Sequence, residues 1–280
     1  MYDDCSAMPT QAHSRLRPVS SPQNQQVKDL RKAFSKGDLT EDGHAAIESV
    51  RIIEEAIRSG LRFRTVFFSE SGKARADRLL PQLGSHVETL VLPDDVFDSA
   101  VDTETPQGVA ALVKLKSHEI EDLFRTPEPL VVVVSAVQDP GNLGTILRSA
   151  EAFEAVGVVL TEGTVSPLNP KSVRASAGSI FRLPVIQTKT RELLPILASK
   201  GLRILGTTSY KGTPLPQADC KGAIAICIGN EGVGLPKELL AKVNANIVIP
   251  HSSKVESLNA GVAASIVLYE AARQRGSTIV

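Results

Sequence analysis

The chain has 280 residues, of which 42% are apolar and 22% charged, and its formal net charge at pH 7 is zero. This composition is typical of a globular protein with room for two domains. The longest apolar runs, such as residues 130–134, have the length of a strand and are too short to cross a bilayer. The N-terminus shows no apolar segment of the secretory type. We therefore expect a cytoplasmic protein that does not enter a membrane.

The cysteines give no sign of a disulfide framework or a zinc site. Cys5, Cys220 and Cys227 have no CxxC spacing and no neighbouring histidine. Reduced thiols are expected for a protein of the cytoplasm. His251 is a lone histidine in a loop, and no cluster of metal ligands appears elsewhere. We expect no metal.

Basic residues are concentrated near the start of the chain. Between residues 13 and 36 there is one acid, Asp29, and six basic residues: Arg15, Arg17, Lys28, Arg31, Lys32 and Lys36. A solvated segment and an arm for the phosphate backbone of a nucleic acid both fit this pattern. Composition alone does not decide between them. Residues 1–24 are rich in Ser, Pro and Gln, which predicts a disordered tail.

The next segment alternates helical and strand patterns, which indicates a small α/β unit over residues 25–116. Helices are predicted at 27–34, 47–59 and 94–100, with Asp94 capping the last of them. Strands are predicted at 64–68, 87–92 and 109–114. Residues 117–129 are polar, with four acids and two prolines, and are interpreted as a linker.

A second α/β pattern begins at residue 130. The apolar run 130–137 predicts a strand buried on both faces of a mainly parallel sheet. The further predicted strands lie at 157–160, 203–207, 223–228 and 246–249. The predicted helices lie at 143–153, 191–199, a short stretch from Pro236, and 257–274. The last helix places Leu258, Val262, Ile266 and Tyr269 on one apolar stripe, beside alanines that allow close packing.

Residues 138–148, QDPGNLGTILR, join the first strand of this unit to its helix. Ligands bind at such carboxyl ends of strands in open parallel sheets. Helix N-capping alone would explain Asn142. Arg148 has the apolar neighbours Ile146, Leu147 and Ala150, so its guanidinium either extends along the surface or points into a pocket.

Two further loops each follow an apolar strand pattern. The first, residues 229–234, has the order G-x-x-G-x-G, which differs from the dinucleotide fingerprint and disfavours a Rossmann nucleotide site. Within it Glu231 is either a turn residue or part of a site. The second loop ends at Ser257, which would cap the last helix. Asn259 is a poor helix former and needs a separate explanation.

Taken together, these three segments resemble the motifs of the SpoU family of RNA 2′-O-ribose methyltransferases, in the SPOUT superfamily. Asn142 and Arg148 match the first motif, residues 228–236 the second, and residues 249–250 with Ser257-Leu258-Asn259 the third. Residues before the linker are similar to the ribosomal-protein-like substrate-binding domain of many members. The loop His251 to Glu256 departs from the family, which often has a Met and a Gly there.

The resemblance implies a SPOUT-type α/β fold, with a mainly parallel sheet and a C-terminal trefoil knot, preceded by the small substrate-binding domain over residues 25–116. The methyltransferase domain would cover residues 130–280. It also implies a homodimer with the active site at the knot and the dimer interface.

The implied methyl donor is S-adenosyl-L-methionine and the implied substrate is RNA, with ribosomal RNA favoured over transfer RNA. The residues expected to act in catalysis are Arg148, Asn142, Glu231, Ser257 and Asn259. Those expected to hold the cofactor are Thr207, Gly229, Asn230, Gly234, Ile249, Leu258 and Asn259. Two other classes stay open from the sequence: an RNA-binding protein without catalysis, and a nucleotide-dependent α/β enzyme.

Overall fold

The computed structural model describes residues 15–101, 103 and 105–276, and the chain divides into two compact units, residues 1–116 and 117–280. Among the helices of the described residues, none combines the length and the apolar character that a membrane span needs.

The first unit contains a five-stranded sheet in the order β1-β4-β3-β5-β2. Pairs β1–β4 and β3–β4 are parallel, whereas β2–β5 and β3–β5 are antiparallel. In chain order its elements are β1 Arg17–Pro18, α1 Gln25–Lys36, β2 His44–Glu48, α2 Val50–Arg58, β3 Arg62–Ser69, α3 Ala76–Leu79, β4 Glu88–Leu92, α4 Asp94–Asp98 and β5 Val109–Lys114.

The predicted helix at 47–59 was wrong at its start. Ile47 lies in β2, where it pairs with Ala111 and is 1% exposed. The helix begins only after Ser49, which is its N-cap and accepts a hydrogen bond from the Ile52 N–H. Ser49 has a φ of 86°, so the backbone turns between the strand and the helix. The apolar residues of the strand and of the helix together gave the spacing of a single helix, because both elements bury residues on either side of Ser49. Pro93, not Asp94, occupies the N-cap of α4.

The predicted disordered tail is wrong for residues 15–24, while residues 1–14 lie outside the described part of the chain. Arg17 and Pro18 pair with Leu90 and Val91 at the edge of the sheet. Arg15 donates hydrogen bonds to three backbone carbonyls, the shortest 2.7 Å to Gly84 O. A polar strand held by its backbone leaves no apolar pattern in the sequence.

The remaining basic residues of this segment also belong to the folded unit. Lys28, Arg31, Lys32 and Lys36 lie on α1. Arg31 donates to Ser99 and the Lys32 ammonium is 2.7 Å from Glu41. The segment is therefore neither a free arm nor a solvated tail over the residues that the structure describes.

The second unit is built on a seven-stranded sheet in the order β10-β12-β9-β11-β6-β7-β8, in which all these pairings are parallel. Its elements are β6 Leu130–Val134, α5 Pro140–Ala152, β7 Gly157–Leu160, α6 Pro170–Ala175, β8 Val185–Gln187, α7 Thr190–Ser199, β9 Arg203–Thr208, β10 Thr213–Pro214, β11 Ile224–Ile228, α8 Lys237–Leu240, β12 Ala245–Val248 and α9 Ala260–Arg275. The central strands β6 and β11 are buried along their whole length, so the predicted mainly parallel α/β class is confirmed. The knot stays a prediction.

The segment interpreted as a linker packs on the second unit. A 3₁₀ turn, Ile120–Phe124, buries Leu123 completely in the apolar cluster that includes Val131 and Val133. Gly157 makes room for it, since a Cβ there would lie 2.3 Å from Leu123 Cδ2. Leu123 therefore belongs to the core of the second unit. The sequence did not predict this, because the acids and prolines around Leu123 are typical of a linker.

Helix α9 packs on α5 through its small residues. The hydroxyls of Ser149 and Ser265 are 2.7 Å apart, and a Cβ on Gly261 would lie 3.0 Å from Thr145. The alanine face of α9 is buried. The apolar stripe predicted for this helix is the exposed face instead, at Val262 (47%), Ile266 (36%) and Tyr269 (47%).

Candidate active site

Three segments meet beyond the carboxyl ends of β6, β11 and β12. Because all three strands run parallel in one sheet, the segments that leave them emerge at one edge of the sheet. The loop after β6 begins α5, the loop after β11 carries Glu231, and the chain after β12 leads into α9. The sequence motifs lie in these segments.

A hydrogen-bond network joins all three motifs. Asn142 donates from Nδ2 to Oε1 of Glu231, and Asn259 donates from Nδ2 to Oδ1 of Asn142 at 2.7 Å. The Ala260 N–H also points to Glu231 Oε1, at 3.3 Å. The carboxylate of Glu231 is thus held by an amide side chain and by a backbone N–H at a helix N-terminus.

The two helix caps differ from the sequence prediction. Asp139, not Asn142, caps α5, because its carboxylate accepts the Asn142 N–H at 2.7 Å. Asn259, not Ser257, caps α9 through the Val262 N–H at 3.2 Å. Asn142 therefore lies inside the first helical turn, where its buried side chain is free to bond across the site. Asn259, which the sequence left without an explanation, caps α9 with its Oδ1 and donates to Asn142 with its Nδ2.

Asn230 shapes the loop after β11. Its Oδ1 accepts from the N–H groups of Gly232 and Val233, and its Nδ2 donates to Ala136 O at 3.1 Å. Its backbone forms an antiparallel bridge with Gly234. The side-chain and backbone bonds of Asn230 are thus directed to the loop and to the segment after β6.

Gly229 and Gly234 are required by the same loop. A Cβ on Gly229 would lie 2.5 Å from the carbonyl carbon of Gly234, so no larger residue fits without opening the loop. Gly234 has a φ of +75°, which side-chain-bearing residues rarely adopt. The conformation of the loop therefore explains why both positions are glycine, whether or not a ligand binds there.

A cleft of about 490 Å³ opens between these loops. It has an apolar inner wall and polar groups along its rim. Among the residues proposed from the sequence, the cleft is lined by Thr207, Gly229, Asn230, Glu231, Gly234, Ile249, Ser257 and Leu258. Thr207 is fixed by a 2.9 Å hydrogen bond from its hydroxyl to Cys227 O.

Three of the proposed residues do not line the cleft. Asn142 and Asn259 lie behind Glu231, to which they are linked by the network above. Arg148 lies on α5 as an exposed residue, so it does not point into the cleft of its own chain. The sequence left this side chain open between surface and pocket, and the structure places it at the surface.

The cleft also includes residues that the sequence did not single out. Tyr210 is 82% exposed and Val233 is 89% exposed, and they come from two different loops. The His251 ring, set aside in the sequence, lines the cleft with Nδ1 2.8 Å from Ile249 O. Tyr210 belongs to no recognisable pattern, and Val233 lies within the second motif but was given no role there, so exposure alone marks them.

The described residues contain two cysteines, Cys220 and Cys227, and both are buried. Burial raises the pKa of the Cys227 thiol to about 12 and that of Cys220 to about 11, so both remain protonated at neutral pH. Cys5 lies outside the described residues. Within the described ranges, no group of three or more His, Cys, Asp or Glu side chains could hold a metal ion.

Comparison with known proteins connects this geometry to a family. Residues 129–269 match the SpoU rRNA Methylase family, and residues 24–111 match the MRM3-like substrate binding domain. The chain is 33% identical over 254 residues to the 23S rRNA (guanosine(2553)-2′-O)-methyltransferase RlmP of Bacillus subtilis, which covers 91% of this chain and 98% of the relative. It is 29% identical over 250 residues to the 23S rRNA (uridine(2479)-2′-O)-methyltransferase of Streptomyces viridochromogenes, with 86% of each covered.

Solved structures show the same architecture. An AdoMet-bound rRNA methyltransferase from Sinorhizobium meliloti superimposes with a TM-score of 0.80 at 26% identity, covering 92% of this chain and 98% of that one. The SpoU methyltransferase AviRb from Streptomyces viridochromogenes, in complex with AdoMet, gives a TM-score of 0.78 at 26% identity, with 91% and 99% covered. Both matches include the two units.

Proposed function

Because the chain belongs to the SpoU rRNA methylase family, we propose that it transfers a methyl group from S-adenosylmethionine to a ribose 2′-hydroxyl of ribosomal RNA. The observation that carries the proposal is the network in which Asn142, Glu231 and Asn259 join the three family motifs beside one cleft. RlmP and the Streptomyces relative are both named as 23S rRNA 2′-O-methyltransferases, which supports the substrate class. The cytoplasm is the proposed location of the reaction.

The cleft fits the methyl donor. Its wall combines the apolar ends of buried strands, including Ile228 and Ile247, with the closely packed backbone of the Gly229–Gly234 loop. When bound, S-adenosylmethionine supplies a methyl group on a positively charged sulfur, which is already activated for transfer. The residues proposed to hold it along the cleft are Thr207, Gly229, Asn230, Gly234, Ile249 and Leu258. Asn259, expected from the sequence to join them, would act indirectly, because its side chain is directed to Asn142 and the Val262 N–H.

The protein then has to position the ribose and stabilise negative charge on its 2′-oxygen. Arg148 suits the second task, because a guanidinium is a poor base but a strong source of positive charge. Glu231 orients the reacting groups, and Asn142 and Asn259 fix its carboxylate. Ser257 completes the polar rim of the cleft.

The proposed assembly is a homodimer formed through α9. Val262, Ile266 and Tyr269 form an exposed apolar face, which is typical of a protein interface. Arg148 is exposed on α5, the helix that packs against α9. Pairing through this face would bring Arg148 of one protomer to the cleft of the other, and so complete a site that one chain leaves open.

The domains divide the work. Residues 25–116, most of which match a substrate binding domain, would bind the RNA, and residues 130–280 would carry out the transfer. Residues 117–129 connect the two. Lys28, Arg31, Lys32 and Lys36 of α1 are then candidates for phosphate contacts on the folded unit.

The test is methylation of unmodified ribosomal RNA. Purified full-length protein is incubated with tritiated S-adenosylmethionine and in-vitro-transcribed 23S or 16S RNA, and the product is digested to 2′-O-methylnucleosides. Label in a ribose-methylated nucleoside supports the proposal. Label found only in base-methylated nucleosides, or no label with either RNA while S-adenosylmethionine binds, contradicts it.

A further inference from the structure

We propose that Tyr210 stacks on the base of the nucleotide whose ribose is methylated. The inference rests on the function proposed above, and it assigns to the rim of the same cleft the recognition of the target nucleoside. Nothing in the three family motifs includes Tyr210.

Tyr210 lies in the turn 209–212 between β9 and β10, and it lines the cleft together with Glu231 and Ser257. Aromatic residues make up only 4% of the chain. Of the large apolar side chains that are exposed in the described ranges, only Tyr210 and Tyr269 are aromatic. Tyr269 lies on α9, so Tyr210 is the exposed tyrosine at the cleft, which the smaller His251 ring also lines.

The turn is anchored on both sides of the ring. Tyr210 N donates to the Thr208 hydroxyl at 3.4 Å, at the end of β9. On the other side Gly212 packs so closely on β12 that a Cβ would lie 2.6 Å from Asn246 O. The backbone of the turn is thus held against the sheet while the ring is 82% exposed. Val233, 89% exposed, lines the same cleft from the loop after β11.

The chemistry of the substrate determines what this ring meets. In a nucleotide the 2′-hydroxyl and the base are attached to adjacent carbons of one ribose. A ribose oxygen that enters the cleft therefore leaves its base at the mouth, where Tyr210 and Val233 lie. Bases that are unstacked from RNA bind by stacking on aromatic side chains, and this contact tolerates any of the four bases.

The adenine of the methyl donor is the other aromatic group at this site, and burial separates the two. The inner wall of the cleft includes Ile228 and Ile247, which are 2% and 1% exposed. An adenine enclosed there would lie inside the cleft, whereas Tyr210 is 82% exposed at its rim. The ring is therefore assigned to the RNA base rather than to the cofactor.

The experiment compares Tyr210→Ala and Tyr210→Phe in the full-length protein. Single-turnover methyl transfer is measured against the concentration of in-vitro-transcribed 23S RNA, and affinity for S-adenosylhomocysteine is measured by calorimetry. Tyr210→Ala should lower kcat/KM on the order of tenfold, the size expected for losing one stacked base, and leave the cofactor affinity within about twofold. Tyr210→Phe should retain the wild-type values, because it keeps the ring.

Val255→Ala is the matched control, since Val255 is 49% exposed in a neighbouring loop and does not line the cleft. Unchanged kcat/KM in Tyr210→Ala overturns the proposal. An equal loss of cofactor affinity also overturns it and assigns the ring to adenine. If the wild type transfers no methyl group, the proposed function fails separately. Filter binding of the same RNA then decides: weaker binding by Tyr210→Ala but not by Tyr210→Phe supports stacking, and equal binding excludes it.

Discussion

The Asn259 side chain donates from Nδ2 to Oδ1 of Asn142 at 2.7 Å, although 117 residues separate them. Its other atom, Oδ1, accepts the Val262 N–H and begins α9. Asn142 in turn donates from Nδ2 to Glu231. The orientation of each amide is fixed by its neighbour, so the start of α9 determines where the carboxylate of Glu231 is held.

Replacing Asn259 by Asp separates capping from donation. A carboxylate keeps the acceptor for the Val262 N–H but removes the donor to Asn142, whose amide is then drawn away from Glu231. We expect a melting temperature near that of the wild type and a methyl-transfer rate about tenfold lower, as for one lost hydrogen bond to a charged group. Asn259→Ala should also lose the cap, about 1 kcal/mol of stability.

Asn169→Asp is the control for this substitution. Asn169 caps α6 by accepting the Lys171 N–H at 2.9 Å, and it does not line the cleft. Both variants thus exchange an N-cap amide for a carboxylate. Thermal melting and single-turnover transfer are measured for each. A normal transfer rate in Asn259→Asp would remove the amide network from the mechanism.

Glu231→Gln tests the charge at the centre of the network. Gln retains an oxygen for the Asn142 amide and the Ala260 N–H, so the loop should keep its shape. Loss of the negative charge should lower the transfer rate by roughly 10- to 100-fold, with S-adenosylhomocysteine affinity preserved. Glu238→Gln, an exposed acid on α8, is the matched control. Loss of cofactor affinity instead would make Glu231 a cofactor ligand.

The parallel sheet was predictable because its central strands are continuous apolar runs. Residues 130–134 and 224–228 are buried on both faces, and such strands need no partner to be recognised. Strand β1 was missed for the converse reason: Arg17–Pro18 is exposed and is held through backbone pairing with β4. The local sequence cannot predict a backbone hydrogen bond to residues some 70 positions away.

The three site segments were also predictable, but the roles within them were not. Asn142 and Ser257 each satisfied the rule for a cap, yet Asp139 and Asn259 hold those positions. A cap is chosen by where the helix begins, which depends on packing against other elements. The Asn142–Glu231 bond spans 89 residues, so only the fold could identify it.

The exposed face of α9 predicts a dimer that one charge can disrupt. Ile266→Glu should convert the protein to a monomer, because burying an unpaired carboxylate in an apolar interface is costly. Light scattering after size-exclusion chromatography measures the mass. Leu39→Glu is the control, since Leu39 is similarly exposed, at 44%, in the first unit. A monomeric wild type, or a dimeric Ile266→Glu, would contradict the prediction.

Arg148 is predicted to act on the cleft of the partner protomer. Arg148→Ala and Glu231→Ala should each lose most methyl transfer, while Arg148→Ala keeps its affinity for S-adenosylhomocysteine. When the two variants are mixed and allowed to exchange, each mixed dimer contains one complete site and one doubly defective site. Statistical pairing then restores about a quarter of the wild-type activity. No recovery after verified exchange would assign Arg148 to its own chain.

The lowered pKa of Glu270 predicts that the folded protein loses stability in acid. Hydrogen bonds from Arg273 and then Gln274 lower its pKa from 4.5 to about 2 in the folded protein. Because the folded pKa lies below the unfolded one, this carboxylate stabilises the fold above about pH 4.5, and the contribution is lost as the pH falls toward 2. Gln274 also donates to Ala218 O and accepts the Cys220 N–H, so the loss should extend to that segment. In urea unfolding, Glu270→Gln should be less stable than the wild type at pH 7, and this difference should shrink at pH 3. A difference that is independent of pH would show that charge at Glu270 contributes nothing.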